Sequence, residues 1–199
     1  MKVLVACEYS GIVRDAFLSR GHDAISCDLL PTESEGPHIQ GDVLPLLQQP
    51  WDLVVAHPPC TYLTNSGVCW LHKKPGRWEL LDDAAAFYKA MLSANSPRIA
   101  IENPIFHKYA VDRIGGNHTQ IIQPWQFGHK EMKAIGLRLV GLPKLQPTDV
   151  VGPPPKDKSE RKKWQPKHYL PPSPDRAKLR SRFFEGVATA MASQWGNLV

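Results

Sequence analysis

Short apolar runs alternate with helix-period segments through the first half of the chain. Val3 to Ala6 is apolar and β-branched, and reads as a first strand. After the turn Cys7-Glu8-Tyr9-Ser10-Gly11, the apolar residues Ile12, Val13, Ala16 and Phe17 recur at helical spacing as far as Gly21, a stop signal. Ala24 to Cys27 gives a second strand ending in Asp28, and Ile39 to Val43 brings Asp42 to a third strand end. Leu53 to Ala56 reads as a buried strand, because Pro58 and Pro59 follow at once and forbid continuation as a helix. From Glu79 to Asn95, Leu80, Leu81, Ala84, Phe87, Tyr88, Met91 and Leu92 share one broad helical face. Arg98 to Ile101 is a further strand, terminating in Glu102-Asn103-Pro104.

Beyond that point the alternation changes. Gln120 to Phe127 and Leu137 to Leu142 are strand-like with no useful helix between them, which predicts an antiparallel pair. Residues 152–174 hold seven of the 19 prolines among lysines and arginines, with Trp164 and Tyr169 interleaved, and predict an extended arm. Phe184, Val187, Ala188, Met191 and Trp195 return to helical spacing, so residues 182–196 should dock back as a terminal helix. The pattern predicts one α/β domain over residues 1–199, with a mostly parallel, doubly wound sheet and an antiparallel pair towards the C-terminal side. A basic, proline-rich segment, 152–181, lies within it.

Composition narrows the function classes. The 199 residues suit a single domain, and 42% hydrophobic with 22% charged residues is ordinary for a soluble protein. No apolar run is long enough for a membrane-spanning helix, the N-terminus reads as a strand rather than a leader, and four unpaired cysteines suit a reducing cytoplasm. The net charge of +5 is concentrated: residues 156–182 carry ten Lys/Arg against three Asp/Glu, and the rest of the chain carries 14 against 16. A polyanionic partner and a merely solvated segment both fit that asymmetry.

The strand ends carry the candidate chemistry. Ligands of open α/β sheets bind beyond the carboxyl ends of the strands. Tyr9, Asp28 and Asp42 fall at three such ends, where carboxylates could accept from ribose hydroxyls. One glycine stands where the dinucleotide fingerprint has three, so a cofactor without a pyrophosphate is the better fit. Pro58 and Pro59 hold Cys60 on a stiff turn, as a candidate nucleophile or a small buried hydrophobe. If the two strands are parallel neighbours, Glu102 lies beside Cys60. The polar loop Thr61 to Gly67, with Asn65 near its middle, is long enough to be a substrate-facing flap. His57-x-x-Cys60 and Cys69-x-x-His72 have zinc-ligand spacing, but the prolines inside the first pair disfavour it and no metal is expected.

With Cys60 and Glu102 placed, the chain resembles the cytosine-carbon-5 DNA methyltransferase family, and more closely its short phage-type members. Tyr9-Ser10-Gly11 is similar to the family's Phe-x-Gly cofactor motif. Asp28, and Asp42 with Val43, sit like its ribose and adenine contacts. Pro58-Pro59-Cys60 matches the nucleophile motif, Glu102-Asn103 the start of Glu-Asn-Val, and Arg182 to Val187, including Gly186, the terminal motif that folds back beside the cofactor. The resemblance implies a Rossmann-like methyltransferase fold, S-adenosylmethionine as methyl donor, Cys60 as nucleophile and Glu102 as its acidic partner. It also implies a substrate site including Pro58, Pro59, Asn65 and Asn103, in a cytoplasmic enzyme. Two family features are missing: the Gln-x-Arg-x-Arg segment, for which Lys133, Arg138 and His129 are the nearby basic candidates, and a separate target-recognition domain. Only the basic segment occupies that domain's position, and Arg161, Lys162 and Lys163 are its candidate phosphate contacts. DNA, a free cytosine nucleotide, and non-catalytic nucleic-acid binding are the functions to separate.

Overall fold

A computed structural model of the chain describes residues 1–198. Seven strands form one sheet in the order β3-β2-β1-β4-β5-β7-β6. The strands are β1 (Lys2–Ala6), β2 (Asp23–Asp28), β3 (His38–Gln40), β4 (Leu53–Ala56), β5 (Ile99–Asn103), β6 (Gln120–Ile122) and β7 (Ile135–Val140). The first five are mutually parallel, whereas β7 is antiparallel to both β5 and β6. This is the mostly parallel, Rossmann-like sheet with an antiparallel pair towards the C-terminal side that the sequence predicts.

The strand pattern explains why helices cover both faces. In β1, Val3 and Val5 pack into one core and Leu4 and Ala6 into the other; in β4, Leu53 and Val55 separate likewise from Val54 and Ala56. Strands apolar at every position need cover on both sides. On the first face lie α1 (Ile12–Leu18) and α7 (Glu185–Trp195), in contact with each other through a core including Val13, Phe17, Val187, Met191 and Trp195. The second face is covered by α2 (Leu44–Leu47), α3 (Arg77–Leu92) and α4 (Lys108–Ile114), through Leu47, Leu81, Tyr88, Met91, Ala110 and Ile114. No helix among the described residues is long and apolar enough to cross a membrane.

Three local expectations are corrected. β3 ends at Gln40, so Asp42 follows the strand and instead accepts from the backbone N–H of Leu44 at the start of α2. The apolar run after Gln120 stops at Ile122, since Pro124 removes a donor and turns the chain into a 3₁₀ turn at Pro124–Gln126. The basic segment is not an extended arm. It folds into α5 (Lys158–Lys163) and α6 (Arg176–Ser181), with Trp164 buried and its carbonyl accepting from the Met132 N–H.

Candidate active site

The strand order itself locates the cleft. From β1 the chain winds outwards through β2 and β3, then returns to lay β4 on the other side of β1. The carboxyl ends of β1 and β4 therefore flank the switch point, where the loops diverge and leave a crevice. A cavity of about 560 Å³ opens there. Cys7 to Ser10 after β1 form one wall, His57 to Thr61 after β4 another, and Glu102 of β5 lies beside them.

Register determines which side chains meet. Ala6 pairs with Ala56, and Ala56 with Ile101, so Cys7, His57 and Glu102 stand in one row a residue further on. The imidazole Nδ1 of His57 lies 3.3 Å from Glu102 Oε2. Pro58 and Pro59 then carry Cys60 into the same cavity. Asn103 is fully buried and donates from Nδ2 to the Pro58 carbonyl at 3.2 Å, tying the end of β5 to the turn that bears Cys60. Asn103 thus positions the turn and does not line the cavity.

The electrostatics of the pair are opposed. Burial pushes the Cys60 thiol above its ordinary value of 9.0, and the Glu102 carboxylate adds to this, while Lys133 and Arg180 act the other way. Burial would raise Glu102 too, but the hydrogen bond and charge of His57, with Lys133 and His118, outweigh it and leave the carboxyl below its ordinary value. At neutral pH the site therefore holds a thiol beside a carboxylate.

Lys133 reaches the cavity because β7 runs antiparallel: β7 starts at the edge where the parallel strands end, and Lys133 lies two residues before it. Arg138 is three residues inside β7, paired with Ile101, and its guanidinium donates to the Asn117 carbonyl. Arg138 is not brought to the cleft. Asn65 is also outside the cavity wall, which the flap supplies through Thr61, Thr64, Ser66 and Gly67. His129 accepts from the Gly186 N–H at 2.9 Å. A Cβ on Gly186 would strike the Phe127 carbonyl, so this glycine serves the close approach of α7 rather than the cleft.

The residues expected to hold a cofactor are only partly gathered. Tyr9 and Ser10 line the cavity. Gly11, at φ +76°, makes the left-handed turn into α1. Asp28 and Asp42 flank Cys7: burial, then Asp28, Cys27 and Asp42, push its thiol up to about 12. Each carboxylate uses Oδ1 for a local turn, to Leu30 and Leu44 respectively, and its second oxygen makes no protein hydrogen bond among the described residues. Those oxygens suit the hydroxyls of an adenosine. Val43 is buried at the start of α2. Arg161 donates to the Pro155 carbonyl, Lys162 lies over the Tyr169 ring and Lys163 pairs with Glu160, so this cluster is partly engaged within its own segment.

Sequence reasoning misses three contributors, His57 as a cleft residue, Glu8 and Glu33, and gives Phe183 only as part of the terminal motif. His57 was weighed only as a zinc ligand, although its place immediately after β4 marks it as a cleft residue. Glu8 is buried and accepts from the backbone N–H groups of Val13 and Arg14 and from the Ser10 hydroxyl, which stabilises the start of α1. Phe183 meets the His57 ring edge-on at 4.7 Å. Glu33 binds Lys178 at 2.7 Å and Arg182 at 3.0 Å, while the Tyr9 hydroxyl donates to the Lys178 carbonyl at 2.9 Å. Together these contacts strap residues 178–183 across the cleft, where Arg180, Ser181 and Phe183 line it.

The Lys178 hydrogen bond, against burial and aided by Arg182, holds Glu33 below its ordinary value of 4.5. A depressed carboxylate contributes above its unfolded value and loses that contribution as pH falls through the folded one. The strap should therefore loosen below pH 4.5. Hydrogen exchange over 178–183, corrected for the intrinsic rate, should accelerate there, and Glu33→Gln should give the same acceleration at neutral pH. Unchanged protection in Glu33→Gln would show that other contacts hold the strap.

No protein-family model matches the chain, and no curated protein matches it. Among solved structures it is similar to a prophage-encoded protein of E. coli described as a DNA modification methyltransferase, with 14% identity, a TM-score of 0.47, and coverage of 74% of this chain and 51% of that one. It is similar to the Entamoeba histolytica methyltransferase EhMeth at 16% identity and TM-score 0.47, covering 74% and 57% of the respective chains. An rRNA methylase from Escherichia coli follows at 17% and 0.36, covering 69% and 56%. The chain thus spans little more than half the length of each of these proteins, and its chemistry rests on its own residues.

Proposed function

We propose that the chain is an S-adenosylmethionine-dependent methyltransferase acting on carbon 5 of cytosine in DNA. The observation that carries this reading is the convergence of Cys60 and Glu102, from the ends of adjacent parallel strands, on one cleft at the sheet's switch point. Carbon 5 of cytosine is a poor nucleophile until a thiolate adds at carbon 6. Cys60 supplies that sulfur, its proton passing to solvent in the open cleft as the base enters. Lys133 and Arg180 favour the thiolate. Glu102 accepts from the exocyclic amine of the base, and shares a proton with the ring nitrogen once the base excludes water and raises its affinity for one. His57 holds the carboxylate in place, and Asn103 fixes the Pro-Pro-Cys turn. S-adenosylmethionine, with its adenosine towards Asp28, Asp42 and Tyr9, supplies an electrophilic methyl group when bound. Loss of the carbon 5 proton and expulsion of Cys60 then restore the aromatic ring.

A second reading, the same chemistry on a free cytosine nucleotide, is favoured by the strap. The basic segment folds over the cleft, so its charge is no longer an argument for a long polymer alone. Purified protein incubated with labelled S-adenosylmethionine and either DNA or deoxycytidine nucleotides should yield labelled 5-methylcytosine. The substrate that carries the label separates the two readings. No label in any cytosine compound would leave nucleic-acid binding without catalysis as the better account.

A further inference from the structure

A second cavity, of about 350 Å³, lies against the first and shares Lys133 and Arg180 with it. Lys167 lines its far side, with Gln165, His168 and Glu131. The three cations come from separate parts of the chain: Lys133 precedes β7, Lys167 follows α5, and Arg180 belongs to α6. Lys133 and Lys167 are half-buried. Among the described residues their ammonium groups donate to main-chain carbonyls, of Arg180 and Arg182 respectively, and both lie over the Phe184 ring, Lys167 at 3.7 Å and Lys133 at 5.7 Å. Among the described residues, none of the three cations makes an ion pair.

We propose that Lys133, Lys167 and Arg180 form a phosphate subsite beside the catalytic cleft, which takes the phosphate of the cytosine nucleotide being modified. That the nucleotide is a cytosine one rests on the proposed function; that the ligand is a phosphate does not. The half-buried Lys133 and Lys167 and the exposed Arg180 gather against Glu131, with Glu102 also facing Lys133, and an anion of more than one charge relieves their mutual repulsion. Burial lowers the affinity of Lys167 for its proton, and Lys133 and Arg182 lower it further against the pull of Glu131, so an incoming anion would hold the group in its charged form. Placement fits as well. Lys133 and Arg180 act on the Cys60 thiol from the wall common to both cavities, so a base against Cys60 has its phosphate on the cationic side. The subsite also assigns a purpose to the folding of the basic segment, since only the folded segment brings Lys167 and Arg180 to Lys133.

The test is calorimetry on the full chain without methyl donor, so that binding is read apart from turnover. The ligands are inorganic phosphate, deoxycytidine, deoxycytidine monophosphate, and a single-cytosine oligodeoxynucleotide with or without methylphosphonates flanking the cytosine. The monophosphate should bind at least about tenfold more tightly than the nucleoside, as for a charge-assisted contact. Arg180→Gln, an exposed change, and Lys167→Gln should each erase most of that difference. A gain from the mononucleotide phosphate identifies a free nucleotide as a sufficient source. A methylphosphonate penalty seen only in the oligonucleotide identifies the polymer backbone. Binding of inorganic phosphate that both variants abolish, with no preference for cytosine compounds, would keep the subsite and remove the cytosine reading. Affinities indifferent to phosphate, or a phosphate gain intact in both variants, would overturn the subsite even if methylation at Cys60 were established.

Discussion

Cys60→Ser should abolish methyl transfer while leaving the cleft formed. The substitution keeps the size of the side chain but replaces a thiol with a hydroxyl that stays protonated near neutral pH and adds poorly to a pyrimidine ring. Nothing in the fold depends on the sulfur: Cys60 lies on the cavity wall and belongs to neither apolar core. The loss should exceed about a thousandfold in rate, the scale at which removal of a covalent nucleophile is felt. A fluorinated substrate gives the positive counterpart. Fluorine at carbon 5 cannot leave as a proton, so wild-type protein, methyl donor and 5-fluorocytosine substrate should accumulate a protein adduct. Mass spectrometry should map it to Cys60 and find none in Cys60→Ser. Wild-type turnover in Cys60→Ser, or an adduct on the exposed Cys69, would move the nucleophile elsewhere.

The largest effect on stability should come from Arg14→Met. Arg14 is fully buried in α1, and its guanidinium donates to Asp15, to the hydroxyls of Ser26, Thr32 and Ser34, and to the carbonyls of Ser34 and Glu35. Methionine keeps much of the apolar volume and none of the donors. Several acceptors would lose their partner at once; the loop can turn some towards water, and a net loss of about 3 kcal/mol is expected. Urea unfolding should show it as a lowered midpoint with little change in slope. The effect should also spread. The loop that Arg14 gathers carries Glu33, whose backbone N–H donates to the Tyr9 carbonyl and whose carboxylate anchors the strap. Faster hydrogen exchange in both the loop and residues 178–183 is therefore expected, whereas a loss below about 1 kcal/mol would show that the loop holds itself together.

Arg14 also shows where sequence reading stops. The strands were legible because apolar runs such as Leu53 to Ala56 end at unmistakable punctuation, and the convergence of Cys60 on Glu102 followed from two such runs being neighbours. An arginine in a helix facing a core carries no such mark; periodicity places it on a face but says nothing of the loop that closes over it. The basic segment misled for a related reason. Proline and charge do disfavour a packed core, yet Trp164 is buried with its carbonyl accepting from the Met132 N–H, and Phe183 meets the His57 ring, contacts with residues far away in sequence. Arg138 and Lys133 were indistinguishable as nearby basic residues until the direction of β7 separated them. Asp42 lies just past the strand end that the sequence predicts for it, because the last bond to β2 is the one from the Gly41 N–H to the Asp28 carbonyl.

The pairing of α1 with α7 has a consequence for how the chain is made. Phe17 and Val13 are covered by residues that emerge from the ribosome about 170 positions later, as are the far walls of the same core. The strands of the sheet can begin to pair earlier, since β1, β2 and β4 all lie within the first 56 residues. An incomplete chain thus carries a formed half-sheet with one sticky face, the state most exposed to self-association. Translation of α7 closes that face, with Trp195 buried and its indole donating to the Pro143 carbonyl. A helix translated late thus acts as the stopper for one translated early.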